Sequence, residues 1–102
     1  NAVDLASACG TAIYAAASGI VEVAGFNKTG GHRIIISHKN GTRTYYGHLQ
    51  GYLVKTGDEV LGGDRIGLMG KTGKATGCHL HYGVHGAKHP FAGYLVGSVL
   101  AF

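Results

Sequence analysis

Charge is scarce in this sequence: 14% of its 102 residues are charged, against 45% hydrophobic. That balance excludes disorder and points to a fold held by burial rather than by surface charge networks. Cysteine occurs only twice. Cys9 and Cys78 cannot make a four-ligand zinc knot by themselves and stand too far apart for a redox CxxC pair. They leave two readings open, a disulfide joining the first and last thirds of the chain or two buried thiols. No apolar run reaches the roughly 18 residues of a membrane span, so no span is expected. The opening Asn1-Ala2-Val3-Asp4 has no signal-peptide character, so either the protein is cytosolic or its leader lies outside this sequence. Basic clusters are missing as well. A net charge of +4 favours an anionic partner, but the Lys and Arg residues are scattered instead of tracking a phosphate backbone, and no nucleic-acid partner is expected.

Glycine is plentiful. The chain holds 19, with a single proline, against an average of roughly 7% glycine. There is no collagen-like period, so these glycines serve turns and close backbone approaches, as in a fold of many short strands. The length suits one domain, residues 1–102, and no repeat or linker divides it. Residues 11–16, 20–24, 33–37 and 42–48 are rich in β-branched and aromatic residues and predict strands. Asn40-Gly41, a pair suited to a two-residue hairpin turn, predicts that the last two are antiparallel neighbours. Residues 54–67 alternate isolated apolar residues with turn formers, as in a tightly curled set of short strands. Residues 70–77 read as a loop and 78–85 as a further strand. The fold class is all-β, built from short antiparallel strands.

Seven histidines stand in this short chain: His32, His38, His48, His79, His81, His85 and His89. Most are read as structural or surface residues. His79-Leu80-His81 is different, because on a strand the two imidazoles project from one face with roots roughly 6 to 7 Å apart, while Leu80 points into the core. Such a pair can share a site, one ring on a metal and the other handling a proton. Period two places His48, at the end of the 42–48 strand, on the face of Thr44 and Tyr46. Asp4 alone reads as a solvated acid near a terminus. Glu22, Asp58, Glu59 and Asp64 are assigned to an exposed strand face or to turns.

Taken together these pieces resemble the M23 family of zinc metallopeptidases, the cell-wall endopeptidases of the lysostaphin and LytM type, over nearly the whole chain. The resemblance is carried by Val3-Asp4-Leu5-Ala6, Gly10 to Ala16, Thr44-Tyr45-Tyr46-Gly47-His48-Leu49, Gly70-Lys71-Thr72-Gly73 and Thr76-Gly77-Cys78-His79-Leu80-His81-Tyr82. It implies a small antiparallel sheet of the barrel-sandwich hybrid kind with an open groove. It also implies Asp4 and His81 as zinc ligands and His48 and His79 as the two catalytic residues that do not bind metal. The family's first ligand is a histidine four residues before its aspartate, which here falls one position ahead of Asn1. Two explanations follow: the sequence is trimmed at a domain boundary, in which case we expect histidine there, or the protein lacks this ligand and is a binding-only relative. Gly83 stands where the family often carries an acid. The resemblance further implies that Cys9 and Cys78 converge near the metal, where a disulfide would tie the Asp4 segment to the His-x-His strand and imply an oxidising compartment.

The expected activity is hydrolysis of peptide bonds in bacterial peptidoglycan cross-links or stem peptides, in an extracytoplasmic setting: secreted, periplasmic or cell-wall associated. His79 would take the proton of the attacking water and His48 would hydrogen-bond the oxyanion, with the two roles exchangeable. Residues 70–77 would wall the groove, and Tyr46 and Tyr82 would line it or pack beneath it. Two alternatives stand beside this reading. One is a non-catalytic LytM-like module that binds and activates another wall hydrolase. The other is a lipoyl-like carrier domain, suggested by Val54 to Val60 but lacking the flanks of a modified lysine.

Overall fold

Runs of β-branched and aromatic residues become strands, and in the computed structural model every helix or strand element among the described residues is a strand. The structure describes residues 2–39 and 41–86, together with the backbone of 93–96 and 98–100. The strands are β1 (Ala2–Ala6), β2 (Ala12–Tyr14), β3 (Gly19–Asn27), β4 (Gly31–Ser37), β5 (Arg43–Tyr52), β6 (Glu59–Val60), β7 (Arg65–Met69), β8 (His79–His85), β9 (Gly93–Val96) and β10 (Ser98–Leu100). Hydrogen bonds join them in the order β10-β9-β2-β7-β5-β4-β3-β6, with β8 added to β5 and β1 to β8. The sheet is antiparallel and not closed, as the all-β reading expected. Among the described residues no helix is long and apolar enough to cross a membrane.

The expected β4–β5 pairing is present, although its turn differs. Ser37 pairs with Arg43, and the His38 N–H donates to the Thr42 carbonyl at 2.9 Å, so residues 39–41 make the connection instead of a two-residue turn. Gly41 takes a φ of 81°, open to glycine at no steric cost, while Asn40 lies outside the described residues.

β5 is where the sheet forks. Arg43 to Gly47 pair with β8, whereas Leu49, Gly51 and Tyr52 pair with β7, and the opposite edge of β5 runs along β4. The changeover falls at His48, the one described non-glycine residue with a positive φ, 63°. Between the pairs His32–Leu49 and Ile34–Tyr46, β4 supplies only Arg33 while β5 supplies Gly47 and His48. Two residues against one make a β-bulge, which shifts the phase of the side chains beyond it. Thr44 and Tyr46 are fully buried, yet His48 emerges into a surface groove beside Tyr45. Strict alternation, which put His48 on the face of Thr44 and Tyr46, is therefore corrected by the bulge.

The core gathers Ile13, Val21, Ile34, Ile36, Leu49, Ile66, Met69 and Leu80 around Tyr46 and Tyr82. Both tyrosines are thus packing residues, their rings 5.5 Å apart, and neither lines the groove. A buried polar chain runs through this core. The His38 Nδ1–H donates to the Ser18 carbonyl at 2.7 Å, so its Nε2 accepts from the Thr44 hydroxyl at 2.8 Å. The Tyr46 hydroxyl must then donate to Thr44 Oγ1 at 2.8 Å, which leaves its oxygen to accept the Ala16 N–H at 2.9 Å. With that, Tyr46 satisfies both of its hydrogen-bonding roles, and burial raises its phenol to a pKa of about 12.

Candidate metal centre

β1 is an edge strand with exposed side chains except at Leu5, and its register against β8 sets the site. Asp4 stands directly across from His81, and Ala6 across from His79. The Asp4 carboxylate oxygen Oδ1 accepts a hydrogen bond from His81 Nδ1 at 2.8 Å and lies 3.7 Å from His79 Nε2. From the fork of β5, the His48 ring comes to 4.7 Å from His79 and 6.2 Å from His81, centroid to centroid. All four residues expected to act together do meet. Leu80, between the two histidines, is fully buried, as alternation on β8 requires.

The histidine rings are held by backbone carbonyls. His79 Nδ1–H donates to the Gly77 carbonyl at 3.0 Å, and His48 Nδ1–H donates to the Thr72 carbonyl at 2.7 Å. In the neutral rings these bonds leave Nε2 as the unprotonated nitrogen in both. The loop over 70–77 supplies both carbonyls and is itself fastened. The Thr72 hydroxyl donates to the Leu49 carbonyl at 2.6 Å and accepts the His32 N–H at 3.0 Å, while the His48 N–H donates to the Gly30 carbonyl at 2.7 Å. Gly31 and Gly73 permit this seam, because a Cβ on either would run into the other's segment. The strained backbone of His48 is thus fixed at N–H and ring alike.

The hydrogen bond from His81 holds the Asp4 carboxyl below its ordinary pKa; slight desolvation opposes it, and the charges of His81, His79 and His48 add to it. One carboxylate oxygen and one imidazole nitrogen facing each other in an open site are donors of the kind that zinc takes. In kind, therefore, Asp4 and His81 fit a zinc ion. Among the described residues no three His, Cys, Asp or Glu side chains form a complete metal-binding group.

Cys9 and Cys78 form a disulfide with Cα atoms 5.3 Å apart. It closes just beyond the Ala6–His79 pair and ties β1 to the start of β8. The remaining histidines part company with the site. His38 is buried in the polar chain and His32 bonds the Tyr52 hydroxyl at 2.9 Å, while His89 lies outside the described residues. His85, Tyr45 and Lys74 line the groove with His48 and His81, and reading the sequence did not single them out. For His85 the signal was present: it continues the period-two series of His79 and His81 on β8. Tyr45 reaches the groove because Gly47 leaves room for its ring, a Cβ there falling 2.8 Å from it.

A small, unclosed antiparallel sheet thus brings an Asp–His pair and two carbonyl-anchored histidines together beside a groove. The sequence model of Peptidase family M23 matches residues 1–92, and this chain belongs to that family. It is 47% identical over 79 residues to the peptidoglycan DD-endopeptidase ShyC of Vibrio cholerae, a match covering 78% of this chain and 18% of that protein. The catalytic domain of the peptidase lysostaphin from Staphylococcus simulans superposes with a TM-score of 0.78 at 38% identity, covering 79% of this chain and 62% of that one. A zinc-containing peptidase from Vibrio cholerae superposes with a TM-score of 0.77 at 35% identity, over 92% of this chain and 26% of that one. The chain spans about a fifth of the length of the curated relatives it matches.

Proposed function

We propose that residues 1–102 form one catalytic domain, a zinc-dependent endopeptidase that hydrolyses peptide bonds of bacterial peptidoglycan cross-links or stem peptides outside the cytoplasm. The observation that carries this reading is the meeting of Asp4 and His81 with two further histidines whose Nδ1 atoms are anchored to backbone carbonyls. Names of the relatives point to the same substrate, and the disulfide suits an oxidising, extracytoplasmic compartment.

Asp4 and His81 would hold the zinc as two of its ligands. Zinc held there supplies Lewis acidity toward water and a peptide carbonyl. His79 is the proton acceptor in this account: its Nδ1–H is spent on Gly77, and the ring sits beside the Asp4 carboxylate, which offsets the positive charge of a proton taken at Nε2. His48, once protonated at Nε2, donates a hydrogen bond toward the carbonyl oxygen that gains charge in the transition state. The Thr72 carbonyl keeps that ring aimed while the proton comes and goes. The groove beside these residues, about 490 Å³, takes an extended peptide.

Two histidines anchored through Nδ1 to backbone carbonyls favour a catalytic site over a binding-only module. The test uses the full-length protein, loaded with one equivalent of zinc, on purified peptidoglycan. We expect new peptide termini, detected by mass spectrometry of the released fragments and abolished by a chelator. Intact cross-links and stem peptides after incubation with the zinc-loaded protein would instead support the binding module.

A further inference from the structure

Resting on the peptidase reading, we infer that the groove carries a carboxylate-binding subsite at Lys74, so that the enzyme selects peptides bearing a free carboxylate. The case begins with where the charges are. The chain has five acids, and none lines the groove. Asp4 belongs to the candidate metal centre. Glu22 is bound to Arg43 at 2.8 Å. Asp58 and Asp64 cap turns through the Lys55 and Leu61 N–H groups, and Glu59 lines a different depression. The ionisable groups that do line the groove are His48, His81 and His85, the Tyr45 phenol and Lys74. Among the described residues Lys74 is the sole Lys or Arg lining the groove, and no ion pair joins it to any described acid. A groove so lined attracts anions and disfavours amines.

The groove runs along β8. On the groove face of β8, His81, Gly83 and His85 follow one another at period two, so His85 stands roughly 13 Å along the strand from His81. Tyr45 makes the floor across from Gly83, with which it pairs. Lys74 stands on the wall made by the 70–77 loop. Its root is fixed, because its N–H donates to the Thr29 carbonyl at 3.0 Å and Gly73 packs against the 29–31 segment. A fixed root on a long flexible stem suits a solvated carboxylate that arrives on a substrate arm, and the His85 ring lines the same groove.

Two cross-linked peptides that differ only in one stem carboxylate, free in one and amidated in the other, test this. Binding is measured by calorimetry on the full-length zinc-loaded protein carrying His79→Ala to block turnover, and cleavage is measured on the wild type. We expect the free acid to bind about fivefold more tightly, as one partly solvated charge contact allows, and the preference to shrink at high salt. Lys74→Met should make the two peptides equal and Lys74→Glu should reverse their order; the Lys74 backbone bond survives either change. Equal affinities in the wild-type groove, or a preference unchanged by Lys74→Met, would overturn the subsite. Absence of cleavage for both peptides alongside a Lys74-dependent affinity ratio would defeat the peptidase reading and leave the subsite standing.

Discussion

Breaking the Cys9–Cys78 disulfide should unfasten the strand that carries Asp4. The bridge spans 69 residues of sequence, and in the chain-entropy model closing a loop of that size in the unfolded state stabilises the fold by about 4 kcal/mol. Little else holds β1. It pairs along one edge only, with β8, and its side chains are exposed apart from the partly buried Leu5. By contrast, β8 keeps its second partner β5 and its buried Leu80, Tyr82 and Val84. The perturbation is the double variant Cys9→Ser/Cys78→Ser, with reduced wild type as a control for the change of side chain. Urea unfolding should show a loss approaching about 4 kcal/mol. Hydrogen exchange should show the Ala2–Ala6 amides losing protection while β8 amides facing β5 keep theirs. Zinc affinity of the full-length protein should fall with them. A loss below about 1 kcal/mol, small beside the chain-entropy value, together with undiminished β1 protection, would refute the view that the bridge sets the Asp4–His81 register.

Replacing His48 separates strain from chemistry: His48→Ala and His48→Gly should both lose at least about a hundredfold in turnover, yet the glycine variant should be more stable by about 1 kcal/mol because it relaxes the φ of 63°. Equal melting temperatures for the two would argue against backbone strain at this position. Tyr46→Phe removes the acceptor of the buried Ala16 N–H and should cost about 1 to 3 kcal/mol in urea unfolding. The same phenol predicts an alkaline limit. Its folded pKa of about 12 exceeds the ordinary tyrosine value of 10.0, so its contribution is whole below pH 10.0 and is lost as pH rises to about 12, on the order of 3 kcal/mol. The Tyr46→Phe variant should show a shallower decline over that range. Thr72→Val keeps the carbonyl that holds His48 but removes the hydroxyl bound to Leu49 and His32; turnover should fall about tenfold with KM little changed, and Thr72→Ser should recover it. Loss of KM alone would show that Thr72 serves binding instead of aiming His48.

Much of this was legible because the signals were periodic. The pair His79 and His81 on one face, with Leu80 buried between them, follows from strand alternation, and the principal strands followed from composition. The role of Asp4 was invisible to local reading: an acid in an exposed edge strand looks solvated until the pairing of β1 with β8 brings it opposite His81. Only the resemblance to a family suggested it. His48 failed the periodic argument for a definite reason, since the bulge at Gly47 and His48 adds a residue to β5 where it changes partner from β8 to β7. No property of those two residues alone announces a fork. Tyr45 and Tyr46 show the same limit, as adjacent tyrosines of like propensity that differ only in which one faces the core.

The account rests most directly on the division of labour between His81 and His79, two rings on one strand face. Zinc content by elemental mass spectrometry, measured on full-length protein carrying either His81→Ala or His79→Ala, compares them in a single experiment. We predict that His81→Ala loses the bound metal and that His79→Ala retains one equivalent. Metal retained without His81, or lost without His79, would contradict the assignment.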